Sequence, residues 1–348
     1  MEFAIFYLLH SIPPKAKSVL QMLRQSQNLL GIGFILALII VDGFILVEEK
    51  GDPDSMVWLD GGRFTMGSDH GLPDEAPARP VSVSGFWIDK YEVTNAQYEA
   101  FIAATDYVTG AEQFGDSLVF HSPQGRSLRD VAPMSWWRLV RNASWRSPEG
   151  TGETLPSQSD HPVVQVNYED ALAYCNWQGK TLPTEAQYEF AARGGRDGQI
   201  YSWGDQPIHH TQRVTNYWQG EFPVSNENTD GHHQTAPVGS YPANDYGLYD
   251  ITGNVWEWVS DWYHPNAYAL LGSQNPKGVK REESFDPAEP GLPKRSIRGG
   301  SFLCSENYCQ GFRVSARMPA DPDSATNHTG FRCVVPRRSN RLTALWLD

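Results

Sequence analysis

The sequence has few cysteines and no excess of positive charge. Only 4 of its 348 residues are cysteine, and 41 acidic against 28 basic residues give a net charge of −13 at pH 7. Four cysteines allow three pairings. Binding to a phosphate backbone needs a basic face, so nucleic acid is not expected as a partner. A protein or a small molecule is favoured instead.

The sequence also lacks repeats and a long apolar run. No segment recurs at a fixed period along the whole chain, which excludes a solenoid. The longest apolar run, 29–41, has 13 residues, and 44–47 extends it. That length suits a signal sequence better than a secure membrane span, and a buried core helix is the less favoured alternative. We therefore expect 1–28 to be a cytosolic or signal n-region and 29–47 a signal or anchor segment.

Charge on either side of this segment predicts its orientation. Basic residues precede it at Lys15, Lys17 and Arg24, whereas acidic residues follow it from Glu48. The positive-inside tendency leaves the N-terminus cytosolic. The rest of the chain is then lumenal or extracytoplasmic, whether the segment is cleaved or retained.

The remainder of the chain is rich in turn-forming and aromatic residues. It has 31 Gly, 24 Pro and 12 Trp in a chain that is 40% hydrophobic. This composition predicts one loop-rich domain with a large core. We expect a linker at 48–55, the domain at 56–337 and a tail at 338–348.

Local patterns predict several short elements. Apolar residues around Asp60-Gly-Gly62 indicate a hairpin, and 80–89 alternates as a half-buried strand does. Thr94, Asn167 and Thr184 have the spacing of helix caps, and the last helix should end at Gly194. The tryptophans of the long segment 114–159 are expected to be packing anchors.

Two of the cysteines, Cys304 and Cys309, lie five positions apart in a Gly- and Ser-led turn. Such a pair can form a local disulfide, act as a redox couple or bind a soft metal ion. Spacing alone favours the disulfide in an oxidising compartment. The tandem histidines 209–210 and 232–233 are expected to be exposed loop residues because no zinc-type ligand set accompanies them.

The sequence from Ser296 to Cys333 resembles the C-terminal part of formylglycine-generating enzymes. The similarity rests on Arg298-Gly-Gly-Ser-Phe-Leu-Cys304 and Asn327-His-Thr-Gly-Phe-Arg-Cys333, and continues upstream over about four fifths of the chain. Upstream motifs include Gly61-Gly-Arg-Phe-Thr-Met-Gly67, Tyr91-Glu-Val-Thr-Asn95, Phe114-Gly-Asp-Ser117, Asp160-His-Pro-Val163, Leu182-Pro-Thr-Glu-Ala186, Trp218-Gln-Gly-Glu-Phe-Pro223 and Gly253-Asn-Val-Trp-Glu-Trp258. The resemblance implies an α+β fold related to C-type lectins, with little regular secondary structure.

The resemblance assigns roles to residues near the cysteine pair. Cys304 and Cys309 would bind Cu(I) and form the catalytic redox centre. Ser301 would be catalytic, and Asn327, Arg317 and Tyr308 would line the substrate and oxygen pocket, with Arg317 also supporting the loop. The other two cysteines, Cys175 and Cys333, would form a disulfide, while the positions of a second family bridge are Ala192 and Val314 here. Ser305 stands where relatives often have histidine, which could alter the reaction rate.

The resemblance also implies two structural calcium sites. Oxygen-rich loops can wrap this cation, although Asp, Asn and Gly clusters more often mark turns. One set would comprise Asn216, Tyr217, Asp230 and His232. The second would comprise Asp250, Gly253, Val255 and Glu257, with Glu92 as a further ligand position.

The implied activity is oxidation of a sulfatase cysteine. A copper-dependent oxidoreductase would use O₂ to convert the cysteine of Cys-x-Pro-x-Arg segments in unfolded sulfatases into Cα-formylglycine. The alternative is a weak or inactive paralogue that binds sulfatases or peptides. A sulfoxide synthase is disfavoured because it needs a further helical domain. We expect a monomer or weak dimer, in the endoplasmic reticulum lumen if the organism is eukaryotic, with possible membrane anchoring through 29–47.

Overall fold

The computed structural model describes residues 54–150, 158–211 and 213–336. Within these ranges no helix is long and apolar enough to cross a membrane. The predicted signal or anchor segment at 29–47 and the tail at 338–348 lie outside the described residues.

The fold combines short helices and short strands joined by long irregular segments. The strands are β1 (Met56–Met66), β2 (Arg79–Asp89), β3 (Asp116–Phe120), β4 (Trp137–Arg141), β5 (Trp256–Trp262), β6 (Arg295–Arg298), β7 (Arg317–Ala320), β8 (Thr329–Gly330) and β9 (Val334–Pro336). The helices are α1 (Asn95–Thr105), α2 (Gly110–Phe114), α3 (Tyr168–Trp177), α4 (Glu185–Arg193) and α5 (Ala267–Leu270). The expectation of an α+β fold with little regular structure is confirmed.

The first sheet corrects the predicted hairpin. Residues on both sides of Asp60-Gly-Gly62 form the single strand β1, which pairs antiparallel with β2 over its whole length. Gly61 has φ 74°, and a Cβ there would meet the main chain of β2 at Val83. The glycines therefore permit close approach of two strands instead of turning the chain.

The three predicted helix caps are confirmed. The side chains of Thr94, Asn167 and Thr184 each accept a hydrogen bond from the backbone N–H three residues later. Such bonds satisfy N–H groups that lack a partner in the first helical turn. Helix α4 ends at Gly194 in the left-handed conformation with φ 58°, as predicted. Helix α2 was not predicted, although Thr109 caps it in the same way.

The remaining strands form two further sheets. Strands β3 and β4 pair antiparallel, and the four-stranded sheet has the order β7-β6-β5-β8. The long segment 114–159 therefore contains a hairpin. Its Trp145 is fully buried and Trp136 is 7% exposed, which confirms that both are packing anchors.

A disulfide between Cys175 of α3 and Cys333 beside β9 joins two distant parts of the chain. Their Cα atoms are 5.7 Å apart across a sequence separation of 158 residues. Closing so long a loop restricts the unfolded chain and contributes about 3–5 kcal/mol of stability in the loop-entropy account. The predicted pairing is confirmed. Ala192 and Val314 are both buried.

Candidate active site

The cysteine pair lies in a loop that leaves the sheet at the end of β6. Gly299 and Gly300 have φ 92° and 79°, and a Cβ on Gly299 would meet the hydroxyl of Tyr188. Only glycine adopts such a conformation without strain. The chain then turns so that Cys304 N–H donates to the carbonyl oxygen of Ser301 at 2.9 Å.

Cys304 and Cys309 are joined by a disulfide, with Cα atoms 5.1 Å apart. Among the three uses that the spacing allows, this structure shows the local disulfide. Cys304 is fully buried, whereas Cys309 is only partly buried. The disulfide therefore joins a buried residue, Cys304, to a residue nearer to solvent, Cys309.

The buried sulfur is held by closely packed neighbours. A Cβ added to Gly311 would lie 2.8 Å from Cys304 Sγ and 2.6 Å from the ring of Trp256. The carbonyl oxygen of Cys304 accepts a hydrogen bond from Trp218 N–H at 2.8 Å. The absence of a side chain at Gly311 thus makes space for Cys304 Sγ. This role was not predicted from the sequence.

An aromatic wall stands beside the outer cysteine. Tyr308, next to Cys309 in sequence, is 51% exposed and stacks on Phe222 with ring centroids 4.2 Å apart. Trp136 meets Tyr308 edge-on at 6.0 Å, and Phe120 stacks on Phe222 at 5.6 Å. Phe120, Trp136 and Phe222 are buried, so the exposed Tyr308 ring is the part of this cluster that a peptide near the sulfurs can contact.

Asn327 and Ser301 are placed differently from Tyr308, because both are buried. The Asn327 side chain accepts a hydrogen bond from Phe120 N–H at 3.0 Å and donates one to Glu149 at 2.9 Å. Asn327 therefore fixes the end of β3 under the aromatic wall. Glu149, which also accepts from Gln234 at 2.9 Å, was missed because a loop carboxylate has no sequence signature.

Arg317 belongs to the scaffold and does not line the substrate pocket. All five N–H donors of its guanidinium are engaged within the protein, by the Glu185 carboxylate, the carbonyl oxygens of Asp74 and His264, and Ser296 Oγ. A fully engaged, buried guanidinium has no donor left for a substrate. The expected pocket role is thus corrected, and the expected support role remains.

The tandem histidines are loop residues, as predicted. His209 is more than half exposed, and its Nδ1 contacts Glu306 of the cysteine loop at 2.6 Å. Within the described ranges no group of three or more His, Cys, Asp or Glu side chains converges as a metal site.

The first predicted calcium set brings oxygen atoms together. Asn216 Oδ1 is buried and has no hydrogen-bond partner. The carbonyl oxygen of Tyr217 and Oδ2 of Asp230 both accept from Gln219 Nε2, and His232 N–H donates to Asp230 Oδ1 at 3.0 Å. The converging oxygens of Tyr217 and Asp230, and the unpartnered buried oxygen of Asn216, are of the kind that a hard cation takes.

The second predicted set fits less completely. Asp250 Oδ1 is buried without a partner, and burial raises the pKa of Asp250 to about 6. Burial, followed by repulsion from Asp250 and Glu257, raises the pKa of Glu92 well above its usual range. Both Glu257 oxygens, however, are already bonded to Arg332 at 2.8 and 2.9 Å. Asp250 therefore offers an unpartnered oxygen to a cation, whereas Glu257 is an ion-pair partner here.

The two sets adjoin at Gly253 and Asn254. A Cβ on Gly253 would meet the carbonyl oxygen of Asn216 at 2.5 Å. Asn254 donates to Glu92 Oε2 at 2.6 Å and accepts from Asn216 Nδ2 at 3.0 Å, and Val255 N–H donates to Glu92 Oε1 at 3.3 Å. Asn254, which the sequence analysis did not single out, is therefore the side chain that links the sets.

Comparison with known proteins agrees with this geometry. Residues 44–337 match the family described as sulfatase-modifying factor enzyme 1-like domain. The formylglycine-generating enzyme of Bos taurus is 43% identical over 81% of this chain and 75% of its own length. That of Streptomyces coelicolor is 45% identical over 80% and 88%. The inactive Cα-formylglycine-generating enzyme 2 of Mus musculus is 41% identical over 81% and 85%.

Solved structures show the same fold. PvdO from Pseudomonas aeruginosa has a TM-score of 0.58 at 26% identity and covers 81% of this chain and 94% of its own. Treponema denticola variable protein 1 has a TM-score of 0.53 at 22% identity over 81% and 94%, which supports the fold alone. The family match spans most of the chain and includes the cysteine loop. The chain therefore belongs to the sulfatase-modifying factor family of formylglycine-generating enzymes.

Proposed function

We propose that the protein activates sulfatases by oxidising a cysteine of a Cys-x-Pro-x-Arg segment to Cα-formylglycine with O₂. The observation that carries the proposal is the pairing of Cys304 with Cys309, one sulfur buried and the other near an aromatic surface. Relatives named formylglycine-generating enzymes, at 43% and 45% identity, support the same reaction.

Electron counting assigns a role to the disulfide. Converting the cysteine Cβ–S group to an aldehyde removes two electrons, breaks the C–S bond and releases sulfide. Reducing O₂ to the aldehyde oxygen and one water takes four electrons. Two further electrons must come from a thiol pair, and a dithiol that becomes a disulfide supplies two. Cys304 and Cys309 form such a couple, and an external thiol must reduce it for the next turnover.

In the reduced state the two thiolates suit Cu(I), since soft sulfur ligands favour this ion. When bound, copper would supply the site for reaction with O₂. The protein's own residues would position the peptide: the exposed Tyr308 ring, which packs on the buried Phe222 and Trp136, offers an apolar contact, while Asn327 holds β3 beneath it. Calcium at the two oxygen-rich sets would fix the loops that adjoin Asn254.

The proposal is tested with reduced protein loaded with Cu(I) and a Cys-x-Pro-x-Arg peptide under air. Aldehyde capture and mass spectrometry should detect the formylglycine product, and a peptide with serine in place of its cysteine should remain unmodified. Cys304→Ser or Cys309→Ser should lower turnover by about 10³-fold or more, since either change removes half of the redox couple. Wild-type turnover in both variants would refute these roles.

The rival function is a sulfatase-binding module without activity. A relative named as inactive, at 41% identity, is the reason for considering it. The cysteine pair favours the enzyme over this alternative. Peptide binding without conversion, by folded protein that holds copper in a one-to-one ratio, would decide for the binding module. Measuring copper content and peptide affinity in the same preparation separates the two outcomes.

We also propose a lumenal or extracytoplasmic location. The apolar run 29–41, with basic residues before it and acidic residues after it, supports this orientation. The Cys175–Cys333 disulfide supports an oxidising compartment. Protease protection of the full-length chain in sealed membrane vesicles tests the proposal: the domain should be digested only after the membrane is opened.

A further inference from the structure

Gln219 occupies the centre of the first oxygen-rich set. Its Nε2 lies 2.5 Å from the carbonyl oxygen of Tyr217 and 2.6 Å from Oδ2 of Asp230. Its Oε1 points the other way and accepts from Asp230 N–H at 3.2 Å and from Thr229 Oγ1 at 3.3 Å. The flipped amide would place Gln219 Oε1 against the oxygens of Tyr217 and Asp230, so the hydrogen bonds fix the orientation of the amide.

Carbonyl and carboxylate oxygens such as these two are the ligands that Ca²⁺ takes. Both converge on the position that Gln219 Nε2 occupies, so an ion that binds both of them must displace this amide.

We propose that the Gln219 amide takes the place of the cation in the ion-free protein and is displaced when the ion binds. The positive end of the amide dipole faces the two oxygens, so it partly offsets their repulsion. A divalent cation offsets it more completely and can also engage the unpartnered Oδ1 of Asn216. Gln219 would then set the affinity by competing with the ion, without being a ligand itself.

The surroundings provide a route for this exchange. A cavity of about 300 Å³ is lined by Tyr217 and Asp230 together with Thr215, Thr229 and the exposed Arg213. An entering hydrated ion needs such space to reach the oxygens of Tyr217 and Asp230. Arg213 is solvent-exposed, so water and salt screen its charge, and threonine hydroxyls can replace part of the hydration shell.

Two substitutions test the proposal in opposite directions. Calcium binding is measured by calorimetry on the chelator-treated full chain, and Asp230→Asn identifies the site. Gln219→Met keeps the length but removes the competing donor, so calcium should bind about tenfold more tightly there. Gln219→Lys places an ammonium among the oxygens, so calcium affinity should fall by about a hundredfold or more. Gln113→Met, which removes an exposed amide bonded to Val108, is the matched control and should leave affinity unchanged.

The inference rests on the proposed calcium site, and the outcomes separate the two. Wild-type protein without Asp230-dependent calcium binding would refute both. Wild-type binding that Gln219→Met leaves unchanged would refute only the competition. Weaker binding by Gln219→Met would make the amide oxygen a ligand and overturn displacement. Near wild-type affinity in Gln219→Lys would show that the ion lies elsewhere. Thermal unfolding without calcium checks that each variant folds.

Discussion

Two buried charge clusters in this fold differ in how completely they are neutralised. The first, here called the arginine cluster, joins α4 to β6 and β7 and contains Glu185, Glu189, Arg193, Arg298 and Arg317. The second, here called the acidic cluster, contains Glu92, Asp250, Glu257 and Arg332. Three guanidiniums meet two carboxylates in the first, whereas one meets three carboxylates in the second.

The pKa shifts of the carboxyl groups follow this imbalance. Burial alone would raise the pKa of Glu185, but Arg317 and Arg298 lower it to about 2. In the acidic cluster burial and mutual repulsion prevail, and the pKa values of Glu92, Asp250 and Glu257 are all raised. The arginine cluster is therefore complete without a ligand, while the acidic cluster gains stability from a proton or a cation.

The largest effect should come from removing one cation from each cluster. Arg332→Met leaves three buried carboxylates without a cationic partner, so we expect it to lower the free energy of unfolding by about 3–5 kcal/mol. Arg193→Met should cost about 1–3 kcal/mol, because Arg298 still pairs with Glu189 at 2.7 Å. Urea unfolding measures both changes.

An exposed pair provides the control for this comparison. Arg196 and Asp245 form an ion pair at the surface, where water and salt screen the interaction. Arg196→Met should therefore leave the unfolding curve nearly unchanged. Equal losses from Arg332→Met and Arg193→Met would show that the acidic cluster is no less neutralised than the arginine cluster.

The contrast also shows what the sequence could predict. Helix caps and the strand at 80–89 depend on neighbours a few residues apart, so local patterns were sufficient for them. The double glycine at Gly61 was misread because glycine marks both hairpin turns and places where two strands approach closely, and only the partner strand distinguishes them. The family resemblance, not spacing, supplied the Cys175–Cys333 pairing.

Roles that depend on distant contacts were beyond the sequence. Arg317 was expected to line the substrate pocket, yet its guanidinium donates hydrogen bonds to Glu185, which lies 132 positions away in the sequence. Glu149, Asn254 and Gln219 carry no motif of their own, since their importance comes from which loops meet around them. Packing of distant segments, not local propensity, decides such assignments.

A smaller effect should separate the clusters by their response to calcium. An ion that binds only the folded state at a hundredfold excess over its dissociation constant adds about 2.7 kcal/mol of stability. We expect calcium to raise the unfolding temperature of wild type and to do so less in Asp250→Asn, which loses a charged oxygen. Asp261→Asn, beside the arginine cluster, should respond as wild type. A chelator-treated sample supplies the baseline, and equal calcium responses in all three proteins would place the ion outside the acidic cluster.

The smallest effect concerns a single carboxyl at the edge of the arginine cluster. Burial, followed by repulsion from Glu185, raises the pKa of Asp261 to about 7. The folded state therefore holds a proton that the unfolded state has already lost, so stability falls as pH rises through about 7. Between about pH 6 and about pH 8 this group should cost roughly 1.4 kcal/mol. Asp261 Oδ2 accepts hydrogen bonds from Glu185 N–H and from the Ser260 hydroxyl. Asp261→Asn keeps an oxygen that can accept these bonds, but the asparagine side chain cannot ionise. Urea unfolding at the two pH values should thus show a shallower decline for the variant than for wild type. Parallel declines would mean that Asp261 is ionised throughout, and that the arginine cluster has positive charge to spare for it.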